Sequence, residues 1–144
     1  MITGLLLYRR YKKTQVSLRQ IEEEARTERL KIETQHKENM ENMKNAHDQK
    51  MKELDAQKEK EIREMNEREK NNQREHDVLL IKIKQKYQFE RVRMEHEFQI
   101  KMMQEQYKYE EKMMMLDNEL EIKRLEKDKL LKIMTLGKNN KNNK

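Results

Sequence analysis

Residues 66–77 read NEREKNNQREHD and contain no apolar residue. On both sides of this segment apolar residues recur at regular intervals, so the fold depends on whether a helix continues through it or turns back within it. The pair Asn71-Asn72 permits a hairpin loop, because Asn tolerates the backbone conformations of tight turns. The apolar spacing, however, continues across the segment without a shift in phase, which predicts one continuous helix.

The composition of the chain argues against an ordinary globular domain. Of its 144 residues 33% are hydrophobic and 43% are charged, whereas a typical domain is about half apolar and a quarter charged. There is no Pro and no Cys, and the only glycines are Gly4 and Gly137. The most frequent residues, such as Glu, Lys, Gln, Arg, Met and Leu, are good helix formers. These features predict an all-α protein consisting of a single very long helix.

The helix has an apolar period of eleven residues. Counting in elevens from Ile21 gives eleven positions, and all except His76 are apolar or aromatic. This main series consists of Ile21, Ile32, Met43, Leu54, Met65, Tyr87, Phe98, Tyr109, Leu120 and Leu131. Eleven residues in three turns is about 3.67 residues per turn, which is typical of straight to slightly right-handed coiled coils. We predict that the main series forms a seam between helices.

A second apolar series accompanies the first in the C-terminal half. This secondary series, predicted as a second seam, consists of Ile81, Val92, Met103, Met114, Leu125 and Leu136. Residues 78–136 therefore carry a wide, Met-rich apolar face, whereas residues 21–65 carry a narrow stripe, and residues 66–77 form a polar break between them. The helix is expected to end at Leu136, with Gly137 as its C-cap, followed by a polar Lys/Asn tail over residues 137–144.

Positive charge is concentrated at the chain ends. The net charge is +6, but residues 1–20 hold five basic residues and no acidic one, and residues 21–136 hold 26 basic and all 28 acidic residues. Four of the N-terminal charges form a basic collar of Arg9, Arg10, Lys12 and Lys13. Because acids and bases alternate along the rod, no continuous basic face is expected, and only weak nucleic-acid binding through the ends remains as an alternative.

The N-terminal segment, residues 1–20, allows three interpretations. Its apolar residues with the basic collar suit an anchor at a membrane surface over residues 1–13. Its lack of acids suits a mitochondrial targeting segment, and its apolar start suits docking into a partner's groove. The apolar run is too short to span a bilayer. We expect an intracellular protein, with a membrane surface or the mitochondrion as the more specific locations.

Motifs that would indicate catalysis are missing from the sequence, which has no glycine-rich phosphate loop and no HExxH zinc motif. Glu33 and His36 match a Glu-x-x-His motif, but bundle di-metal sites need two such motifs, so we predict no metal, no cofactor and no enzyme. His36 and His47, eleven residues apart, would form either polar layers or partly exposed positions. The sequence predicts a structural protein, a helical strut that pairs with itself or with subunits of a larger complex. The alternative is an amphipathic helix protein on a membrane surface.

Overall fold

The computed structural model describes residues 2–142, and side chains are described for residues 3–137. Apart from one short turn, this part of the chain is helical. Helix α1 spans Ile2–Arg68 and helix α2 spans Gln73–Asn142, with a short turn over residues 69–72 between them. No strand occurs within these residues, and none of their helices has a stretch long and apolar enough to cross a membrane.

The prediction of a single very long helix is wrong, because the chain turns back at residues 69–72. The turn lies inside the polar break, where exposing the backbone and side chains to water costs no apolar burial. Turning back allows Met65 to pack against Ile83 and Tyr87, which a lone helix would leave in water. The eleven-residue spacing continues across the turn because α1 and α2 both direct members of the main series toward each other. A continuous spacing therefore does not require a continuous helix.

Hydrogen bonds of the backbone and of one side chain define the turn. The N–H of Glu69 donates to the carbonyl of Met65 at 3.0 Å, and the N–H of Asn72 donates to the carbonyl of Glu69 at 3.4 Å. Asn72 then caps α2, since its Oδ1 accepts from the backbone N–H of Glu75 at 3.3 Å. No described residue has a positive φ. The turn therefore needs no glycine, and none marks it in the sequence.

The far end of α2 also differs from expectation. The helix continues through Gly137 to Asn142 instead of ending at Leu136. Gly137 has no positive φ, so it does not adopt the left-handed conformation of a C-cap glycine. The last two residues of the predicted polar tail, 143–144, lie outside the described residues.

The chain divides into two compact units. Unit 2 contains residues 36–107, which form an antiparallel helical hairpin. Its core consists of Met65, Ile83 and Tyr87, which are 1%, 9% and 4% exposed. Leu54, Ile62, Leu79 and Leu80 pack against that core from both helices.

Unit 1 contains residues 1–35 and 108–144, and its described parts belong to the start of α1 and the end of α2. The two segments run antiparallel, since Glu22 pairs with Arg124 and the later Arg29 pairs with the earlier Asp117. The buried side chain described in this unit is Thr14, whose hydroxyl donates to the carbonyl of Arg10 at 2.8 Å. Unit 1 is thus held by half-buried side chains rather than by a buried apolar core.

Candidate interaction surface

In unit 2 the main series lies between the two helices. Met65 and Tyr87 are buried, while Met43, Leu54 and Phe98 are half-buried. Because eleven residues complete three helical turns, members of the series on each helix share one face. That face is the one directed toward the other helix of the hairpin.

In unit 1 the remaining members of the main series are all half-buried. They are Ile21, Ile32, Tyr109, Leu120 and Leu131. The eleven-residue spacing therefore selects positions of reduced exposure in each unit.

Tyr87 joins the apolar core of unit 2 to a charged group. Its hydroxyl donates a hydrogen bond to the carboxylate of Glu61 on α1. This bond, followed by burial and the negative charge of Glu61, raises the pKa of Tyr87 to about 12. The same bond is the main reason why the pKa of Glu61 is lowered, and Lys86 nearby also lowers it. The pair satisfies the one polar atom that Tyr87 carries into the core.

The two histidines that are eleven residues apart on α1 both face α2. The ring of His47 stacks on that of Phe98, with centroids 4.0 Å apart and planes at 11°, and its Nε2 lies 3.0 Å from Glu95. His36 lies 3.4 Å from Glu105. Both histidines are half-buried. The interface between α1 and α2 in unit 2 therefore contains polar side chains as well as apolar ones.

Ion pairs connect the helices within each unit. In unit 2, Arg91 lies 3.1 Å from Asp55, and Lys86 lies 3.4 Å from Glu61. In unit 1, Arg124 lies 3.3 Å from Glu22, in addition to the pair of Arg29 with Asp117. Their side chains are 32% to 60% exposed, and solvent-accessible pairs contribute at most about 1 kcal/mol each. These ion pairs therefore help to select the alignment of the two helices, and they add little to the free energy of unfolding.

The secondary series lies on the outside of α2. Its six members are between 56% and 62% exposed: Ile81, Val92, Met103, Met114, Leu125 and Leu136. The structure thus separates the two predicted series. The main series lies between the described helices, and the secondary series faces solvent.

A third series, which the sequence reasoning missed, extends this outward surface. Val78, Phe89 and Ile100 are also eleven residues apart and each precedes a member of the secondary series by three, which places the two side by side on a helix. At about 100° per residue, Phe89 and Val92 lie about 200° and 140° around α2 from Tyr87, on the side away from α1. We call the six outward residues of unit 2 the outer stripe. It consists of Val78, Ile81, Phe89, Val92, Ile100 and Met103, which are 43% to 72% exposed.

The two helices differ in their outer surfaces. Of the twenty large hydrophobic residues exposed in the described part of the chain, fourteen belong to α2. On α1, five of the remaining six lie within residues 5–16, and the other is Leu30. The α1 segment of unit 2, residues 36–68, exposes none. Helix α1 therefore has one apolar side there, whereas α2 has two.

The basic collar is exposed to solvent near the start of α1. Arg9, Arg10, Lys12 and Lys13 are all exposed, and Lys12 lies over the ring of Tyr8 at 5.3 Å from its centroid. Exposed apolar side chains, Leu5 and Leu6 among them, precede it. Residues 3–13 therefore present apolar and basic side chains next to each other.

Within the described residues, no group of three or more His, Cys, Asp or Glu side chains is arranged to hold a metal ion. Glu33 and His36 of the Glu-x-x-His motif both lie on α1, and His36 contacts Glu105.

No family model, no curated protein and no solved structure matches the chain.

Proposed function

We propose that this protein is a non-catalytic structural subunit, a helical strut that joins a larger intracellular assembly by packing against other helices. The observation that carries the proposal is the second apolar side of α2, which lies opposite α1. A helix with apolar residues on two sides is typical of one placed between two neighbours. In unit 2, α1 covers one of those sides and leaves the outer stripe exposed.

The spacing of the outer stripe supports a helix as the neighbour. Large exposed apolar patches mark interaction sites, and a patch that repeats every eleven residues matches a partner with the same helical period. We propose that the contact is a coiled coil of hendecad type, straight to slightly right-handed, and that α1 and α2 pack in the same manner within each unit.

Native complex size tests the proposal. In gently lysed cells, a tagged full-length chain should sediment in a complex far heavier than two copies of the 17.9 kDa chain. Phe89→Glu should shift it toward the free chain, because a carboxylate would be buried without a partner. Leu30→Glu, at a similarly exposed apolar site on α1, is the matched control. Sedimentation of the wild-type chain at one or two copies alone would refute an assembly role.

A membrane-surface role is the second candidate, and the exposed N-terminal surface favours it. Apolar side chains in the lipid interface beside cations at anionic head groups are the pattern of a peripheral anchor. The full chain should float with phosphatidylserine vesicles and not with phosphatidylcholine vesicles. Neutralising the basic collar, through Arg9→Gln, Arg10→Gln, Lys12→Gln and Lys13→Gln together, should abolish flotation. Equal flotation with both vesicle types would contradict electrostatic anchoring, and salt-sensitive binding to duplex DNA instead would favour a weak nucleic-acid contact.

A further inference from the structure

We infer that the outer stripe is the contact surface for a second copy of this chain, bound antiparallel to the first, α2 against α2. The inference rests on the proposed helix-packing function and names the first partner. It concerns unit 2 alone, where α1 covers one side of α2 and the opposite side is apolar and exposed.

The outer stripe is complementary to itself when one copy is reversed. Reversal about a point between residues 90 and 91 places Val78 against Met103 of the second copy and Ile81 against Ile100. At the centre, Phe89 meets Val92, and the two-fold symmetry repeats each contact. Every apolar position then faces an apolar position, which is the requirement for a self-complementary two-fold interface.

Charges beside the outer stripe favour the same arrangement. Lys82 and Lys84 lie near its N-terminal end, and Glu95 and Glu97 lie nearer its C-terminal end. Lys82, Lys84 and Glu97 take part in no ion pair within the described residues. Reversal brings Lys82 near Glu97 of the second copy. It also brings Lys84 near Glu95, which lies 3.0 Å from His47 of its own chain. A parallel pair in register would instead place the lysines together and the glutamates together.

Two other cations beside the outer stripe, Lys86 and Arg93, would approach each other on reversal. Each already has an acidic neighbour in its own chain. Lys86 lies 3.4 Å from Glu61, and Arg93 lies 2.8 Å from Glu90. These acids reduce the repulsion between the two cations.

Sedimentation equilibrium of the purified full-length chain is the first test. We expect a reversible dimer, twice the 17.9 kDa mass of one chain. Phe89→Glu should be monomeric with unchanged helicity by circular dichroism, and Leu30→Glu should still form the dimer. A wild-type chain that stays monomeric at its highest soluble concentration overturns the inference. The inference is also overturned if Phe89→Glu weakens binding to phosphatidylserine vesicles but leaves the dimer unchanged.

Charge reversal and cross-linking test the orientation. Lys82→Glu or Glu97→Lys alone should weaken the dimer by roughly three- to tenfold, because each creates two like-charge contacts. The double variant should recover wild-type affinity. The chain contains no cysteine, so Ile81→Cys and Ile100→Cys chains can be mixed and oxidised. The mixed 81–100 disulfide should dominate, whereas 81–81 and 100–100 disulfides would show a parallel pair and overturn the inference.

The outcomes separate this inference from the proposed function. A purified chain that remains monomeric but sediments in a heavy complex in lysate retains the assembly role and loses the self-contact. A dimer in both settings, with nothing heavier in lysate, retains the self-contact and loses the assembly role.

Discussion

Tyr87 and Glu61 make the stability of unit 2 depend on pH through one hydrogen bond between the helices. The pKa of Tyr87 is raised to about 12 from an ordinary value of 10.0. The folded state therefore favours the protonated phenol. This contribution to the free energy of unfolding is fully present below pH 10 and is lost as the pH rises through about 12.

The first prediction compares the wild type with Tyr87→Phe, which keeps the ring and removes the hydroxyl. Chemical unfolding followed by circular dichroism should show a difference in unfolding free energy that shrinks between pH 10 and pH 12. At the acid end, the lowered pKa of Glu61 predicts that the difference also shrinks as the pH falls below about 4.5. A difference that is constant from pH 3 to pH 12 would mean that the hydrogen bond does not form.

The second prediction concerns the two phenylalanines of the chain, which lie on opposite sides of α2. Phe98 is half-buried and stacks on His47, whereas Phe89 is 72% exposed. Phe98→Asp should lower the unfolding free energy by about 2–4 kcal/mol, because it removes apolar burial and introduces a charge between the helices. Phe89→Asp is the matched control, and it should change stability little at concentrations where the wild type is monomeric. Equal effects of the two substitutions would contradict the assignment of inner and outer sides.

At the level of elements, Asn72 determines where α2 begins. Its side chain accepts the backbone N–H of Glu75, which would otherwise lack a partner at the helix N-terminus. We predict that Asn72→Ala lowers the unfolding free energy by about 1 kcal/mol. Asn72→Asp should retain most of the stabilisation that the cap provides. Asn71→Ala is the control, because Asn71 lies in the same turn and its side chain makes no described hydrogen bond. Thermal unfolding that ranks the Asn71 variant below the Asn72 variant would contradict this cap.

The helices could be predicted from the sequence, and the turn between them was missed for a physical reason. Composition and the absence of Pro indicate helix throughout, but a turn without positive φ needs no glycine to announce it. A signal was nevertheless present, since Asn72 precedes Glu75 by three residues just before an apolar run, which is the pattern of a helix N-terminus. The eleven-residue spacing, which continues across Asn72, predicts a continuous helix instead.

The candidate surface could be predicted only in part, because periodicity identifies a side of a helix and not what covers it. The spacing selected Met65 and Tyr87, which are buried against each other's helix, and it equally selected Ile81 and Val92, which are exposed. The turn at residues 69–72 determines which of the two series on α2 is covered by α1. A sequence that does not reveal the turn therefore does not reveal which series is buried. Val78 and Phe89 were not recognised as a further series on the outer side.

For the whole molecule, the two units differ in what holds their helices together. Unit 2 has the buried core of Met65, Ile83 and Tyr87, with apolar residues packed around it. In unit 1 the buried side chain described is that of Thr14, and the contacts between helix segments come from half-buried residues and exposed ion pairs. Because local stability follows the burial of apolar contacts, unit 1 should open at a lower free energy than unit 2.

Native-state hydrogen exchange measures this difference. We predict that amides of residues 54–65 and 79–87 exchange more slowly than those of residues 18–32 and 116–131, since the former flank the buried core. Met65→Ala should speed exchange in unit 2 by roughly 30- to 1,000-fold where global unfolding limits it, which corresponds to the loss of about 2–4 kcal/mol expected for truncating a buried Met. Ile32→Ala, at a half-buried site in unit 1, is the matched control and should leave exchange in unit 2 less affected. Equal protection of both units in the wild type would mean that the chain unfolds as one cooperative body, with the half-buried contacts of unit 1 as stabilising as the core of unit 2.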